Sequence, residues 1–266
     1  MTSPDLGRIR CNVSGPVPAG SYQSCELTYT AGSAGVDDTG SLKVVMRYVT
    51  DCGTPQFDDP AGANYTTATA SSGASLELRY DPKDNTRPWG RTLRIKVTGG
   101  FLVAGDTITL ALGDRSGGGP GWRVQTFAAR KFALRVLVDR YATCVYEAVP
   151  GSAGFRIVAG EATRLVAVAP TVIRPGRRFT VRWKLEDAWG NPVGRARRFS
   201  HDAFETAGCF RVAVEDPQTG LSAETNPIMV RDGESHGHFW ADLHGQTEET
   251  VGTNSIDDYF TFARNL

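Results

Sequence analysis

Short runs in which apolar and polar side chains alternate with period two constrain this chain more than any other feature. Leu76-Glu-Leu78-Arg-Tyr80, Leu93-Arg-Ile95-Lys-Val97 and Phe179-Thr-Val181-Arg-Trp183-Lys-Leu185 read as strands with one buried face and one wet face. Residues 42–48 repeat the pattern, and 8–13, 22–29, 108–112, 132–138 and 141–149 are further short strand candidates. Residues 55–72 are small, polar and loop-like. Turn chemistry separates the runs, as in Asp81-Pro-Lys-Asp-Asn85, and thirty glycines and fourteen prolines supply it along the whole chain. Seven or more such strands predict a mainly β chain, with a sandwich or Greek-key domain over residues 1–168.

A second, smaller β unit is expected over residues 169–232. Arg174-Pro-Gly176 turns into the strand ending at Leu185, with Trp183 facing the core. Asp187-Ala-Trp189-Gly190-Asn191-Pro192 is a tight turn, and 210–214 and 228–230 are later strands. Pro-Gly before a strand and Glu-Asp-x-x-Gly-Asn-Pro after it resemble the immunoglobulin-like units that precede catalytic domains.

The 266 residues carry 29 basic and 29 acidic side chains, so nothing electrostatic argues for a nucleic-acid partner. No run of eighteen apolar residues is present to span a membrane, and the start, Met1-Thr-Ser-Pro, has no apolar signal region. Five cysteines, an odd number without a Cys-x-x-Cys pair, predict reduced thiols and a cytoplasmic location. A Cys11–Cys25 bridge is the alternative, because the two strands that carry these residues can pair. The loop Gly113-Asp-Arg115-Ser-Gly-Gly-Gly-Pro-Gly121 has the glycines of an anion nest but lacks the Gly-Lys-Ser/Thr ending of a nucleotide loop.

Chemistry concentrates in residues 233–266. Three of the four histidines lie in Glu234-Ser-His236-Gly-His238-Phe-Trp240-Ala-Asp242-Leu-His244-Gly-Gln246. In an extended segment His238, Asp242, His244 and Gln246 share one face, with Phe239, Ala241 and Leu243 on the other. A strand that ends in Asp-x-His and breaks at glycine suits a divalent metal, since imidazole nitrogen and carboxylate oxygen then project at fixed spacing. Glu249, in the loop that follows, is a candidate ligand or general base. Asn254 or Ser255 then caps a helix in which Ile256, Tyr259, Phe260 and Ala263 form one apolar stripe, with Asp257 and Asp258 in its first turn. His236 and His238 read as linker residues and His201 as a loop residue. Trp89, Trp122 and Trp189 are candidates for a sugar-stacking surface or, more simply, for packing.

Asp242-Leu-His244-Gly-Gln246-Thr resembles the first motif of the PHP-type metal-dependent hydrolases, Asp-x-His-x-His at the end of a barrel strand. Its continuation through Glu249-Thr-Val-Gly252-Thr-Asn254 to Asp257-Asp258-Tyr259-Phe260 resembles the bacterial family known as domain of unknown function 3604. The resemblance implies that residues 233–266 open an α/β barrel that this chain leaves incomplete. It also implies a divalent metal (manganese, zinc or iron), held by Asp242 and His244 with Gln246 beside it, and hydrolysis of a small phosphoester. Gln246 stands where the motif has its second histidine, and a neutral amide is the weaker ligand. The same resemblance makes the glycine loop a structured connection near a domain interface. By itself the chain is expected to be inactive. The competing expectation is a non-catalytic β-sandwich that binds or scaffolds carbohydrate or protein.

Overall fold

The computed structural model describes residues 5–151, 153–233 and 244–265. The chain is mainly β, with one helix among the described residues. It packs as two units, Met1–Val158 with Glu248–Asn254, and Ala159–Thr247 with Ser255–Leu266.

The first unit begins with β1 (Arg8–Cys11), β2 (Pro16–Pro18), β3 (Tyr22–Gln23), β4 (Cys25–Thr30) and β5 (Ser41–Met46). There follow β6 (Thr66–Ala70), β7 (Ser75–Asp81), β8 (Arg91–Gly99) and β9 (Thr107–Leu112). Last come β10 (Trp122–Arg123), β11 (Ala129–Asp139), β12 (Glu147–Ala148) and β13 (Ala153–Val158). One sheet has the order β1-β4-β9-β6; a larger one runs β2-β13-β11-β5-β8-β7 with β12 also on β11, and β3 pairs with β10. Leu27 and Tyr29 of β4 and Leu110 of β9 share one apolar core with Leu42 of β5, Ile95 of β8 and Val136 of β11. The period-two pattern produces this result: alternate residues of each strand enter the core.

Trp122 is completely buried, and its indole N–H donates to the Gly53 carbonyl at 2.9 Å. The glycine loop before it is a structured connection. Gly113 has φ 75°, and a Cβ there would overlap the Trp122 backbone nitrogen, so only glycine fits. Gly117 lies against Pro60 in the same way, and Arg115 donates to the Tyr22 carbonyl at 3.0 Å.

Several sequence expectations need correction in this unit. All of β5 is buried, so Lys43 does not face water as the alternation implied; its ammonium lies 3.3 Å from an Asp84 carboxylate oxygen and over the Tyr146 ring. The stretch assigned to loop contains β6, whose small polar residues pair with β9. Residues 141–149 form a strand only at β12. The Asp139 carboxylate accepts the N–H groups of Thr143 and Cys144 at 3.0 and 2.7 Å and holds the segment in a turn instead.

The second unit contains β14 (Arg164–Val168), β15 (Val172–Ile173), β16 (Phe179–Glu186) and β17 (Pro192–His201). These precede β18 (Gly208–Phe210), β19 (Ala213–Glu215), β20 (Ser222–Glu224), β21 (Ile228–Val230) and α1 (Ile256–Asn265). Its sheets are β14-β16-β17, β15-β21-β18 and β19-β20, around a core that includes Val181, Trp183, Leu185 and Ile228. The strand expected over 210–214 is broken into β18 and β19. β17 escaped notice because Arg195-Ala-Arg-Arg198 shows no alternation. No sheet among the described residues closes into a barrel, and the single helix does not make a βα barrel opening. The strand expected before it falls largely on residues 234–243, outside the described residues.

The tight turn after β16 forms around Asp187. Its buried carboxylate accepts N–H groups from Gly160, Trp189 and Asn191 at 2.9, 2.9 and 2.8 Å. Burial alone raises such a carboxyl's pKa, but the bonds from Gly160, Asn191 and Trp189 outweigh it and hold Asp187 below its ordinary value.

Two predictions follow from these contacts. Trp122→Ala should destabilise the first unit by about 3–5 kcal/mol in urea melts, whereas Trp189→Ala, at a half-exposed turn, should change stability by less than about 0.5 kcal/mol. Because Asp187 has a depressed folded pKa, its stabilisation is complete above the ordinary carboxylate range near pH ~4 and disappears as pH falls through the folded value. The stability gap between wild type and Asp187→Asn should therefore be constant from neutral pH to about pH 5 and shrink below the ordinary carboxylate range.

Candidate functional site

The residues singled out by sequence fall into three groups. Asp242, with His236 and His238, lies outside the described residues. His244 and Gln246 belong to the second unit, and Glu249 to the first.

His244 and Gln246 are brought together. The Gln246 amide nitrogen lies 3.1 Å from His244 Nε2. An amide and an imidazole at this distance share a hydrogen bond whose direction depends on the imidazole tautomer. An imidazole nitrogen ligates a metal through its lone pair. Turning the amide over would place its oxygen, the ligating atom, on the same side. Both side chains are exposed. Gly245 between them lies under the Tyr259 ring, where a Cβ would overlap it, so the ring of α1 fixes this segment only because residue 245 is glycine.

Ser255 caps α1. Its Oγ accepts the Asp258 N–H at 3.2 Å while the Ser255 N–H donates to the Asp258 carboxylate at 3.4 Å, a reciprocal box, and Oγ also donates to that carboxylate at 3.0 Å. Between the two candidate caps, the structure selects Ser255. The apolar stripe is not buried: Ile256 is 50% exposed and Phe260 61%. The helix instead contacts its unit through Phe262, whose ring centroid is 4.7 Å from Lys184 Nζ, and through the Arg264 carbonyl, which accepts from Arg182 at 3.3 Å.

Within the first unit, the Glu249 loop is held by two residues that sequence reading did not single out for this task. Arg47 donates through Nη2 to the carbonyls of Glu248 and Thr250 at 3.1 and 3.0 Å. Its guanidinium lies over one face of Trp89, which Arg135 also stacks upon. Burial lowers the Arg47 pKa, and the carboxylates of Glu248 and Glu249 oppose that shift. Asn254 has φ 60°, a left-handed conformation that asparagine tolerates better than most residues. Its side chain donates to the Ala128 carbonyl at 3.1 Å and accepts the Arg130 N–H at 3.2 Å. The Glu248 N–H closes the loop onto the Asn254 carbonyl at 2.8 Å.

His201 ends β17 as a packing residue: its ring stacks on Phe179, with centroids 5.0 Å apart, and its Nδ1 is 2.7 Å from the Asp202 carbonyl. The three tryptophans do not form one sugar-stacking surface, since Trp122 is in the core and Trp89 lies between guanidinium groups. Among the described residues, no three His, Cys, Asp or Glu side chains are grouped to hold a metal ion. No helix among them is long and apolar enough to cross a membrane. No family model matches this chain, and no curated protein matches it.

Asn254→Gly preserves the left-handed backbone and removes both side-chain bonds. At about 0.5–1.5 kcal/mol per bond, amide hydrogen exchange across residues 248–254 should accelerate roughly tenfold to a hundredfold, with β4 and β9 unchanged.

Proposed function

We propose that the segment from Asp242 to Asp258 carries part of the metal site of a divalent-metal hydrolase acting on a small phosphoester. The two β units would serve as a sandwich and an immunoglobulin-like flank in a cytoplasmic protein. The observation that carries this reading is the 3.1 Å approach of the Gln246 amide to His244 Nε2, which sets two exposed polar side chains of the motif side by side. On the motif resemblance alone, Asp242 and His244 would bind the ion, Gln246 would orient a water or substrate oxygen, and Glu249 would serve as the general base. A divalent ion supplies Lewis acidity and a water of lowered pKa. His244 is the single imidazole of this set among the described residues, and we propose that this chain alone is catalytically incompetent. The fixed Glu249 loop and the exposed apolar residues of α1 support the reading.

Metal content after purification from manganese-, zinc- or iron-supplemented medium tests it. Wild type should retain less than one equivalent, His244→Ala should lose it, and Gln246→His should raise it by adding an imidazole. Metal content that ignores His244→Ala would overturn the assignment, as would phosphoesterase activity of this chain that His244→Ala abolishes overturn its predicted incompetence.

A second reading, a non-catalytic binding module for carbohydrate or protein, is favoured by one observation. Phe101, Val103 and Tyr141, each more than half exposed, border a depression of about 260 Å³ that also includes Asp37. Saturable glycan binding that Tyr141→Ala abolishes would favour it over the hydrolase.

A further inference from the structure

The strongest unassigned chemistry of the first unit lies at two thiols on neighbouring strands. β1 and β4 are antiparallel, with Cys11 opposite Leu27. Cys25, two residues from Leu27 along β4, is therefore the diagonal neighbour of Cys11 on the same face. The two sulfurs are 3.6 Å apart, and both residues are free thiols. Their environments differ sharply. Cys25 is 0% exposed, inside the core, whereas Cys11 is partly exposed on the edge strand of its sheet.

We propose that Cys11 and Cys25 form an oxidisable dithiol site, with Cys11 as the sulfur that meets a hydroperoxide and Cys25 as the sulfur that resolves it into a disulfide.

Geometry and electrostatics agree on this division of labour. The contact between the two sulfurs, with a smaller contribution from the Val13 backbone, outweighs burial and lowers the Cys11 pKa to about 6. Cys25 is pushed upward by the same contact, by burial and by the nearby Cys52 and Glu26, so it remains a thiol. The downward shift makes Cys11 the better nucleophile of the pair, because thiolate is the attacking species. It attacks one oxygen of the hydroperoxide. A sulfur–oxygen bond forms, the oxygen–oxygen bond breaks, and the other oxygen leaves as alcohol, or as water from hydrogen peroxide, after taking a proton. Cys11 is then a sulfenic acid. Cys25 sulfur attacks Cys11 sulfur, a sulfur–sulfur bond forms, and the hydroxyl departs with the Cys25 proton as water. Two thiols and one hydroperoxide thus give one disulfide, one alcohol and one water. An oxidant cannot reach Cys25 directly, so the order is fixed by burial. Cys52 is also buried, with its sulfur 3.2 Å from the Thr50 hydroxyl, while Cys144 and Cys209 are exposed.

The test treats the intact chain with one equivalent of hydrogen peroxide and maps its peptides without reduction. A Cys11–Cys25 link, with the loss of two hydrogens, is expected. In Cys25→Ala the reaction should stop at a sulfenic acid on Cys11, trapped by dimedone, and the pH midpoint of Cys11 alkylation should move upward from about 6. Cys25→Ser provides the same arrest in a side chain nearer in size, and circular dichroism checks that each variant folds. Cys11→Ser should leave Cys25 reduced. The proposal is overturned if Cys144 or Cys209 consumes the oxidant while Cys11 and Cys25 stay thiols, or if Cys25 links to Cys52. An alkylation midpoint for Cys11 that is unchanged by either Cys25 variant would overturn the thiolate assignment.

Discussion

Closure of both faces of β5 is the constraint on which the first unit depends. All six of its residues are buried, between β11 on one side and β8 on the other. One face, Leu42, Val44 and Met46, belongs to the apolar core. The opposite face contains Ser41 and Lys43, and a buried ammonium without compensation is prohibitively costly. The loop after β7 solves this problem. Asp84 offers Lys43 both its carboxylate and, at 2.6 Å, its backbone carbonyl, and the same carboxylate receives Arg94 at 2.8 Å. Tyr146 covers the ammonium with its ring and joins its hydroxyl to Ser41 at 2.7 Å. The hydrophobic face drives assembly; the polar face determines which loops must lie where.

That division explains what was legible in the sequence. Strands whose outer faces stay wet, such as β7 and β8, are written plainly in their alternation. The covering of Lys43 was not, because alternation says which residues share a face and is silent on what a distant loop places over it. Local side-chain competition hid more. Asp139 draws the following amides onto its carboxylate, so a run that resembles a strand turns instead. β17 failed in the opposite sense: its arginines sit on an exposed edge strand, where no burial pattern is demanded and none is written.

In the candidate site, residue identity was legible and anchorage was not. His244, Gln246 and Glu249 stand out by chemistry and spacing. Arg47 meets the Glu248 loop across 201 positions of sequence, and nothing local to either end announces the pairing. Asn254 was noticed as a possible cap, on correct helix-start logic, yet Ser255 performs that task and Asn254 clasps Ala128 and Arg130 instead. Both outcomes use the same property, a short polar side chain that bonds to backbone, and tertiary placement decides which backbone it reaches.

The strength of that anchorage follows from its parts. Two charge-assisted bonds from Arg47 to carbonyls are worth about 1.5–3 kcal/mol each in favourable settings. Against them stands a buried Arg47 Nε without a hydrogen-bond partner, a loss of about 1–3 kcal/mol, and the burial that lowers the arginine's pKa works in the same direction. Arg47 by itself therefore contributes at most a few kcal/mol to the hold on residues 248–254, to which Asn254 adds its bonds to Ala128 and Arg130. The loop is thus clasped by side chains distant in sequence, whereas the turn around Asp187 is saturated with bonds to a single buried carboxylate. The contrast between these two turns is one of means: the first depends on tertiary placement of distant side chains, the second on one carboxylate.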